Sequence, residues 1–445
     1  MLSYRERLLE RYPLKEDLDE DMDISFGEEY RENYMRSAVK TVNAIKADVR
    51  LERLFHTIMT EALEEGATDI HIGRYSDVGL VRLRVDKLSI PYRLVDPDAI
   101  DPLILKMKTL SEINPEPTRK PQDGQFNYYY KNINEPVRLA VINAIDGMKV
   151  TLRLRASETL DWGVDDLNLP ETILRTYKRL LHAGQGVILI CGPTSSGKST
   201  TLYAGANEIV RTSDYTKEVY AIEQPVEIHV DGINQISVVT DEEVEDLNYK
   251  TAVVNILRQD PDVMIVGEIR EEQTAKQVLR SSTSGHLTLT TMHLSSVFET
   301  FNVLNQLGVA PIDIDTALVA VMAQRLERQL CQHCKLPKLL DIEEKKWIDS
   351  KMGAYPQLAT IFKANQNGCE HCRNGYSGST LLMEMLETDE MFRVLKYHSN
   401  GDMESLKRTL LESAEVNYYP MEESVYTQLK AGLIDLDVAT KLINH

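Results

Sequence analysis

Gly192-Pro-Thr-Ser-Ser-Gly-Lys-Ser199 fits G-x-x-x-x-G-K-[ST], and both its flanks agree with that pattern. Before it, Val187 to Cys191 is a short apolar run, the pattern of a strand buried on two faces. After it, Thr200 to Ile209 places Leu202, Ala206 and Ile209 at helical spacing. Strand, glycine loop and helix form the context that a phosphate loop requires. Its glycines let backbone N–H groups close around phosphate oxygens, Lys198 reaches the β/γ-phosphates, and the Ser199 hydroxyl ligates Mg²⁺. The expected binding residues are therefore Gly192, Pro193, Thr194, Ser195, Ser196, Gly197, Lys198, Ser199 and Thr200. The expected ligand is a nucleoside triphosphate with Mg²⁺.

Working outward, Val219–Ile222, Val263–Val266 and Leu287–Thr291 are further apolar runs separated by helical stretches. That alternation predicts a doubly wound, mostly parallel sheet with the phosphate loop at a strand's carboxyl end. Upstream, Val81-Arg-Leu-Arg-Val85, Val137-Arg-Leu-Ala-Val141 and Val150-Thr-Leu-Arg-Leu154 alternate in period two, as half-exposed strands do. From Ala38 to Glu65 apolar residues recur at helical spacing. The expected division is an arm over 1–54, with an acidic run at Glu16–Asp23, and a smaller α+β domain over 55–155. A linker over 156–170 follows, then a nucleotide-binding domain over 171–445 that contains a cysteine-bearing insert at 331–372 and a helical tail from about residue 385.

Composition sets outer limits. A chain of 445 residues, 42% hydrophobic and 27% charged, is too long for one ordinary core. No apolar run is long enough to span a bilayer, and the N-terminal MLSYRERLLERY is too charged for a signal peptide. The expected location is therefore cytoplasmic. A net charge of −19 argues against a broad electrostatic grip on DNA or RNA, so no nucleic-acid partner is expected.

Three further motifs carry chemistry. Val263-Met-Ile-Val-Gly-Glu268 is an apolar strand ending in an acid, as in phosphate-loop ATPases, but with Gly267 where Asp is usual. Glu268 is then the candidate base that orients the attacking water. Ala221-Ile-Glu-Gln-Pro-Val-Glu227 places Glu223, and less favourably Glu227, where an acid after a strand can reach a metal's water shell. Ser284-Gly-His-Leu-Thr-Leu-Thr-Thr-Met-His293 brings His293 out at the carboxyl edge of the sheet, positioned to sense a γ-phosphate. Finally, Cys331-Gln-His-Cys334 and Cys369-Glu-His-Cys372 form two C-x₂-C pairs, which in a reducing compartment hold Zn²⁺ more often than they form disulfides. His333 and His371 lie inside the pairs, so a mixed Cys/His set is the alternative to Cys331, Cys334, Cys369 and Cys372. Cys191, on a buried strand, needs no function.

These motifs together resemble the secretion ATPases of type II secretion and type IV pilus assembly, the GspE/PilB family. Glu64-Glu-Gly-Ala-Thr-Asp-Ile-His-Ile72 resembles that family's G-A-S-D-I-H-[IL] segment, and Lys120-Pro-Gln-Asp-Gly124 another of its signatures. Gly232-Ile-Asn-Gln-Ile236, Leu257-Arg-Gln-Asp-Pro-Asp262, Gly267-Glu-Ile-Arg270 and Ala323-Gln-Arg-Leu326 follow in the family's order. The resemblance implies a RecA-like phosphate-loop domain, a PAS-like N-terminal domain and a zinc-binding insert. It implies ATP hydrolysis by a homohexamer at the inner face of the cytoplasmic membrane. A polytopic platform protein is the implied partner, with an adaptor if the short arm does not itself dock. It also implies that Arg138 and Arg153 reach a neighbouring subunit's nucleotide. Gln224 stands where the family has Asp, and Leu294 and Ser295 where it has Thr-Asn. Retraction and type IV secretion ATPases share the core but lack the cysteine insert, so the insert favours assembly.

Overall fold

The computed structural model describes residues 15–16, 42–85, 88–116, 120–131, 133–154, 162–224, 226, 229–238, 249–282, 285–358, 360–399, 402–413 and 415–443. Glu227, the acidic run beyond Glu16 and most of the arm lie outside the described residues. The chain divides into two compact units, residues 1–157 and 158–445.

The first unit holds a seven-stranded sheet in the order β1-β4-β3-β2-β7-β6-β5. Its strands are β1 (Lys15–Glu16), β2 (Asp69–Tyr75), β3 (Val78–Val85), β4 (Leu88–Val95), β5 (Gln122–Tyr130), β6 (Ile133–Ala144) and β7 (Gly147–Leu154). All pairings are antiparallel except β1 on β4. Alternation sends Ile70, Ile72, Val81, Leu83, Val150 and Leu152 to one face. There they meet two helices, α1 (Val42–Glu64) and α2 (Pro97–Leu110), in a single core. α1 runs across the division that the sequence reading places between 54 and 55, because Leu51 and Phe55 are one turn apart and both buried in that core.

The second unit is built on an eight-stranded sheet. In chain order its elements begin with α3 (Glu171–Leu181), β8 (Gly186–Cys191), α4 (Lys198–Thr212), β9 (Val219–Glu223), β10 (Asn234–Ser237) and α5 (Tyr249–Ile256). There follow β11 (Val263–Val266), α6 (Glu272–Ser282), β12 (Leu287–Met292), α7 (Val297–Gln306), α8 (Pro311–Ala317) and β13 (Leu318–Leu330). The sheet order is β10-β9-β11-β12-β8-β13, all parallel, extended by β16 (Tyr376–Glu387) and β17 (Tyr418–Tyr419), both antiparallel. The four strands read from the sequence lie where the apolar runs predict. Side chains of β8 alternate between two cores. Val187, Leu189 and Cys191 face one and Ile188 and Ile190 the other, so helices cover both faces, which is the doubly wound arrangement.

Between β13 and β16 the chain makes the cysteine-bearing insert, with β14 (Leu336–Lys338), α9 (Ile342–Met352) and β15 (Ile361–Lys363). Its small core, including Leu340, Ile348 and Ile361, is shared with α12 (Met421–Lys430) and α13 (Leu436–Ile443). The helical tail begins later than expected. Residues 376–387 are β16, which re-enters the main sheet, and helices resume only at α10 (Glu390–His398) and α11 (Met403–Glu412).

Candidate active site

The phosphate loop leaves the carboxyl end of β8, and Lys198 is the first residue of α4. Ser195 (φ 61°) and Gly197 (φ 84°) adopt left-handed backbone on either side of Ser196, which curls the loop into a concavity of N–H groups. The left-handed conformation at Gly197 is one that a side chain would strain. Thr201 is the first residue of α4 whose N–H bonds back along the helix, to Gly197 O at 3.0 Å. The N–H groups of Lys198, Ser199 and Thr200 therefore face the helix N-terminus, where its dipole favours an anion. Pro193, Thr194 and Ser195 are exposed, while Ser196 is buried.

Lys198 Nζ donates to the carbonyls of Gly192 at 2.9 Å and Pro193 at 3.1 Å, so its ammonium lies folded over its own loop. Burial pulls its pKa below the ordinary lysine value, with Glu268 opposing. It also lies 3.4 Å from His293 Nδ1, and His293 Nε2 lies 3.2 Å from Glu268 Oε1. A neutral imidazole protonated on Nε2 satisfies both contacts, accepting from Lys198 and donating to Glu268. Arg270 closes the line, placing Nε at 2.8 Å and Nη2 at 2.7 Å from Glu268 Oε2. Three residues named from three separate motifs, Lys198, His293 and Glu268, thus form one contiguous network.

Gly267 explains the missing Asp. A Cβ there would lie 3.2 Å from both Ile222 O and the Tyr249 hydroxyl, and 3.5 Å from Glu223 Cα. A side chain there would press on both groups unless they gave way by a few tenths of an ångström, and Glu268 is the acid next along the chain.

Glu223 ends β9 and is only 6% exposed. Its Oε1 accepts from the Tyr203 hydroxyl and from Gln235 Nε2, the latter at 3.2 Å. Tyr203 stands one turn along α4 from Ser199, so its hydroxyl holds Glu223 beside the phosphate-loop helix. Neither Tyr203 nor Gln235 was singled out for a role by the sequence. Gln235 lies in Gly232-Ile-Asn-Gln-Ile236, and its Oε1 also accepts from the Val230 N–H at 3.0 Å, which fixes the side chain that reaches Glu223.

The sequence also missed Gln324, 1% exposed on β13, whose Nε2 donates to Ser196 O at 2.6 Å. It fastens the phosphate loop to the neighbouring strand. Cys191 accounts for itself as core. Burial pushes its thiol up to about 12, and its Sγ lies 3.3 Å from Thr300 Oγ1.

In the first unit, Arg138 on β6 and Arg153 on β7 are direct cross-strand partners. The row continues through Asp69 to Arg84. Asp69, 5% exposed, receives Arg153 Nε at 3.0 Å and Arg84 Nε at 3.5 Å. Like charges directly opposite one another repel, and the buried carboxylate offsets that. Arg84, unassigned by sequence, belongs to the same row.

The four cysteines converge. Sγ atoms lie 3.7 Å apart for Cys331 and Cys369, 3.5 Å for Cys334 and Cys372, and 3.6 Å for Cys369 and Cys372. All four lie within 4.8 Å of one another. A disulfide would need about 2 Å, whereas four sulfurs about 2.3 Å from a tetrahedral Zn²⁺ stand about 3.8 Å apart. Electrostatics points the same way. At Cys331 burial opposes the thiolate, yet backbone N–H groups of His333 and Cys334 bring it down to about 7, while burial and its sulfur neighbours push Cys334 up to about 12. The His333 and His371 rings meet at 4.2 Å between centroids, tilted by 39°, and are absent from the converging set.

The family model described as "Type II/IV secretion system protein" matches residues 45–429. The type II secretion system ATPase E of Vibrio cholerae is 31% identical over 402 residues, covering 90% of this chain and 76% of that protein. The type IV pilus assembly ATPase PilB of Pseudomonas aeruginosa is 30% identical over 372 residues, covering 82% and 63% respectively. Among solved structures, the Legionella pneumophila ATPase DotB superposes with a TM-score of 0.64 at 19% identity, covering 88% of this chain and 95% of that one. That likeness concerns the fold.

Proposed function

The chain belongs to the type II/IV secretion system protein family, and on that premise we propose that it is an ATPase that couples ATP hydrolysis to assembly of a type IV pilus or type II secretion pseudopilus. The observation that carries the reading is the line Lys198–His293–Glu268 at the mouth of the phosphate loop. Lys198 leaves its loop carbonyls for the phosphates, where the N-terminus of α4 already favours negative charge. Ser199 is the residue that would hold Mg²⁺, which would neutralise charge on the phosphates. Glu268 accepts a proton from water as the water oxygen bonds to the γ-phosphorus and the bond to ADP breaks. His293 sits between the two and registers which of them is engaged. Glu223 is assigned to the metal's water network, through the end of β9.

Arg138 and Arg153 are assigned to the nucleotide of a neighbouring subunit in a homohexamer. The support is their resemblance to the family's arginines and their alignment in one row with Arg84. Zn²⁺ is assigned to Cys331, Cys334, Cys369 and Cys372 as a structural ion, since four thiolates leave no open position. Among the described residues no helix is long and apolar enough to cross a membrane. The proposed location is the cytoplasmic face of the inner membrane, against a polytopic platform protein. The cysteine insert favours assembly over retraction.

Phosphate release from Mg-ATP by the purified chain tests the reading. The parent should turn over, and Lys198→Ala should lose nucleotide binding and turnover together. Turnover that survives Lys198→Ala would refute it.

A further inference from the structure

Arg270 has no assigned role, yet it makes the closest polar contact on Glu268 in the described structure. Its Nε and Nη2 lie at 2.8 and 2.7 Å from the same oxygen, Oε2, while His293 takes Oε1 at 3.2 Å. An ionised carboxylate only accepts, and each oxygen offers about two lone-pair directions. The Nε–H donates to Oε2, and Nη2 crowds the same oxygen as an ion-pair contact. A general base must itself accept from the water it activates, within hydrogen-bond reach. With Arg270 held against Oε2 and His293 on one side of Oε1, water must compete with both for what is left of the Glu268 carboxylate, so the ion pair works against its proposed task.

The two partners differ in exposure. The Glu268 side chain is 16% exposed and the Arg270 side chain 67%. The carboxylate is fixed at the edge of the sheet, and the guanidinium lies in solvent with room to swing. An ion pair of that kind is weak, because water competes for the arginine. It can be opened without disturbing the core beneath.

We propose that Arg270 acts as a brake on hydrolysis, a positioning residue that holds the Glu268 carboxylate out of use until the ion pair opens. The inference rests on Glu268 being the base, as proposed above. Lys198 and His293 make the brake sensitive to nucleotide. When Lys198 is drawn to phosphate it leaves His293 Nδ1, and the imidazole that steadied the other oxygen of Glu268 loses its partner.

The test compares steady-state ATP turnover of the parent, Arg270→Gln, Arg270→Lys, Glu268→Gln and the Arg270→Gln/Glu268→Gln double variant, at one protein concentration and saturating Mg-ATP. Arg270→Gln should raise kcat about two- to fivefold, the range an exposed ion pair can supply, with KM little changed. Arg270→Lys, which offers a single ammonium in place of the fork, should fall between. The double variant should be as inactive as Glu268→Gln. A kcat for Arg270→Gln at or below the parent's, with Glu268→Gln inactive, overturns the brake alone. If instead Glu268→Gln turns over like the parent, the base assignment fails and the brake with it. Binding of a fluorescent ATP analogue confirms the fold of each variant. Should Arg270→Gln not bind it, Arg270→Lys decides by the same criterion.

Discussion

Gln324 on β13 donates its side-chain N–H to the backbone carbonyl of Ser196 at 2.6 Å. The phosphate loop is thereby fastened to a strand that pairs with β8 but lies more than a hundred residues away in sequence. Gln324→Met keeps the volume and removes the donor. Leaving a buried carbonyl unpaired costs ~1–3 kcal/mol. ATP-analogue affinity should fall by about tenfold, with kcat changed far less. Equilibrium binding of the analogue checks it, and unchanged affinity would show that the loop holds its shape alone.

A side chain at Gly267 would meet its neighbours more tightly than an ordinary contact. Gly267→Asp should destabilise the second unit by ~1–3 kcal/mol, as overpacking does, because Ile222 O and the Tyr249 hydroxyl stand 3.2 Å from the new Cβ. Thermal denaturation should show a lowered transition. A variant as stable as the parent, with restored metal affinity, would mean that the strand end yields.

How much of this was legible beforehand follows from range. The phosphate loop, four core strands and the cysteine pairs are local patterns, and local patterns survive in a sequence. Gln324 was not legible as a loop support, since its contact joins segments that meet only after the sheet forms. The pairing of β13 with β16 was hidden for the same reason. The whole cysteine insert lies between them, and Gln324-Arg-Leu-Glu-Arg-Gln329 shows no two-period alternation of buried and exposed residues to mark a strand. Leu51 and Phe55 had the right spacing to be read as one helix, but a charge-rich arm concealed where its core contacts start. Arg84 stayed anonymous because register, not composition, sets it in line with Arg138 and Arg153.

Glu384 on β16 is almost wholly buried, and burial raises its pKa above the usual carboxylate range, against the Tyr418 hydroxyl at 2.8 Å and the Val297 N–H at 3.2 Å. A raised folded value means that its stabilising contribution is full below the unfolded pKa and is lost as pH rises through the folded one. Glu384→Gln should therefore gain stability relative to the parent as pH climbs from about 4 toward neutrality. Denaturant unfolding of both proteins across that interval checks the sign. A gap that widens on acidification contradicts it.

The cysteine cluster predicts one Zn²⁺ per chain. Cys331→Ser or Cys369→Ser should lower the thermal transition, and metal affinity should weaken on acidification because thiolates must stay deprotonated. Elemental analysis of protein purified without chelator is the check. Metal-free protein with undiminished stability would leave the four sulfurs without a role.

The trans assignment of the arginines predicts that specific activity climbs with protein concentration as rings form. Arg153→Ala should bind ATP and turn it over slowly at every concentration. A demonstrably monomeric chain at full activity would contradict the assignment.

Glu268 is assigned as the base for ATP hydrolysis at this phosphate loop. The most direct measurement is ATP binding and turnover of Glu268→Gln side by side, since the amide keeps the shape and loses the proton acceptor. The variant should bind Mg-ATP as the parent does, while turnover falls by about 10²-fold or more. Turnover near the parent rate, with binding intact, would contradict it.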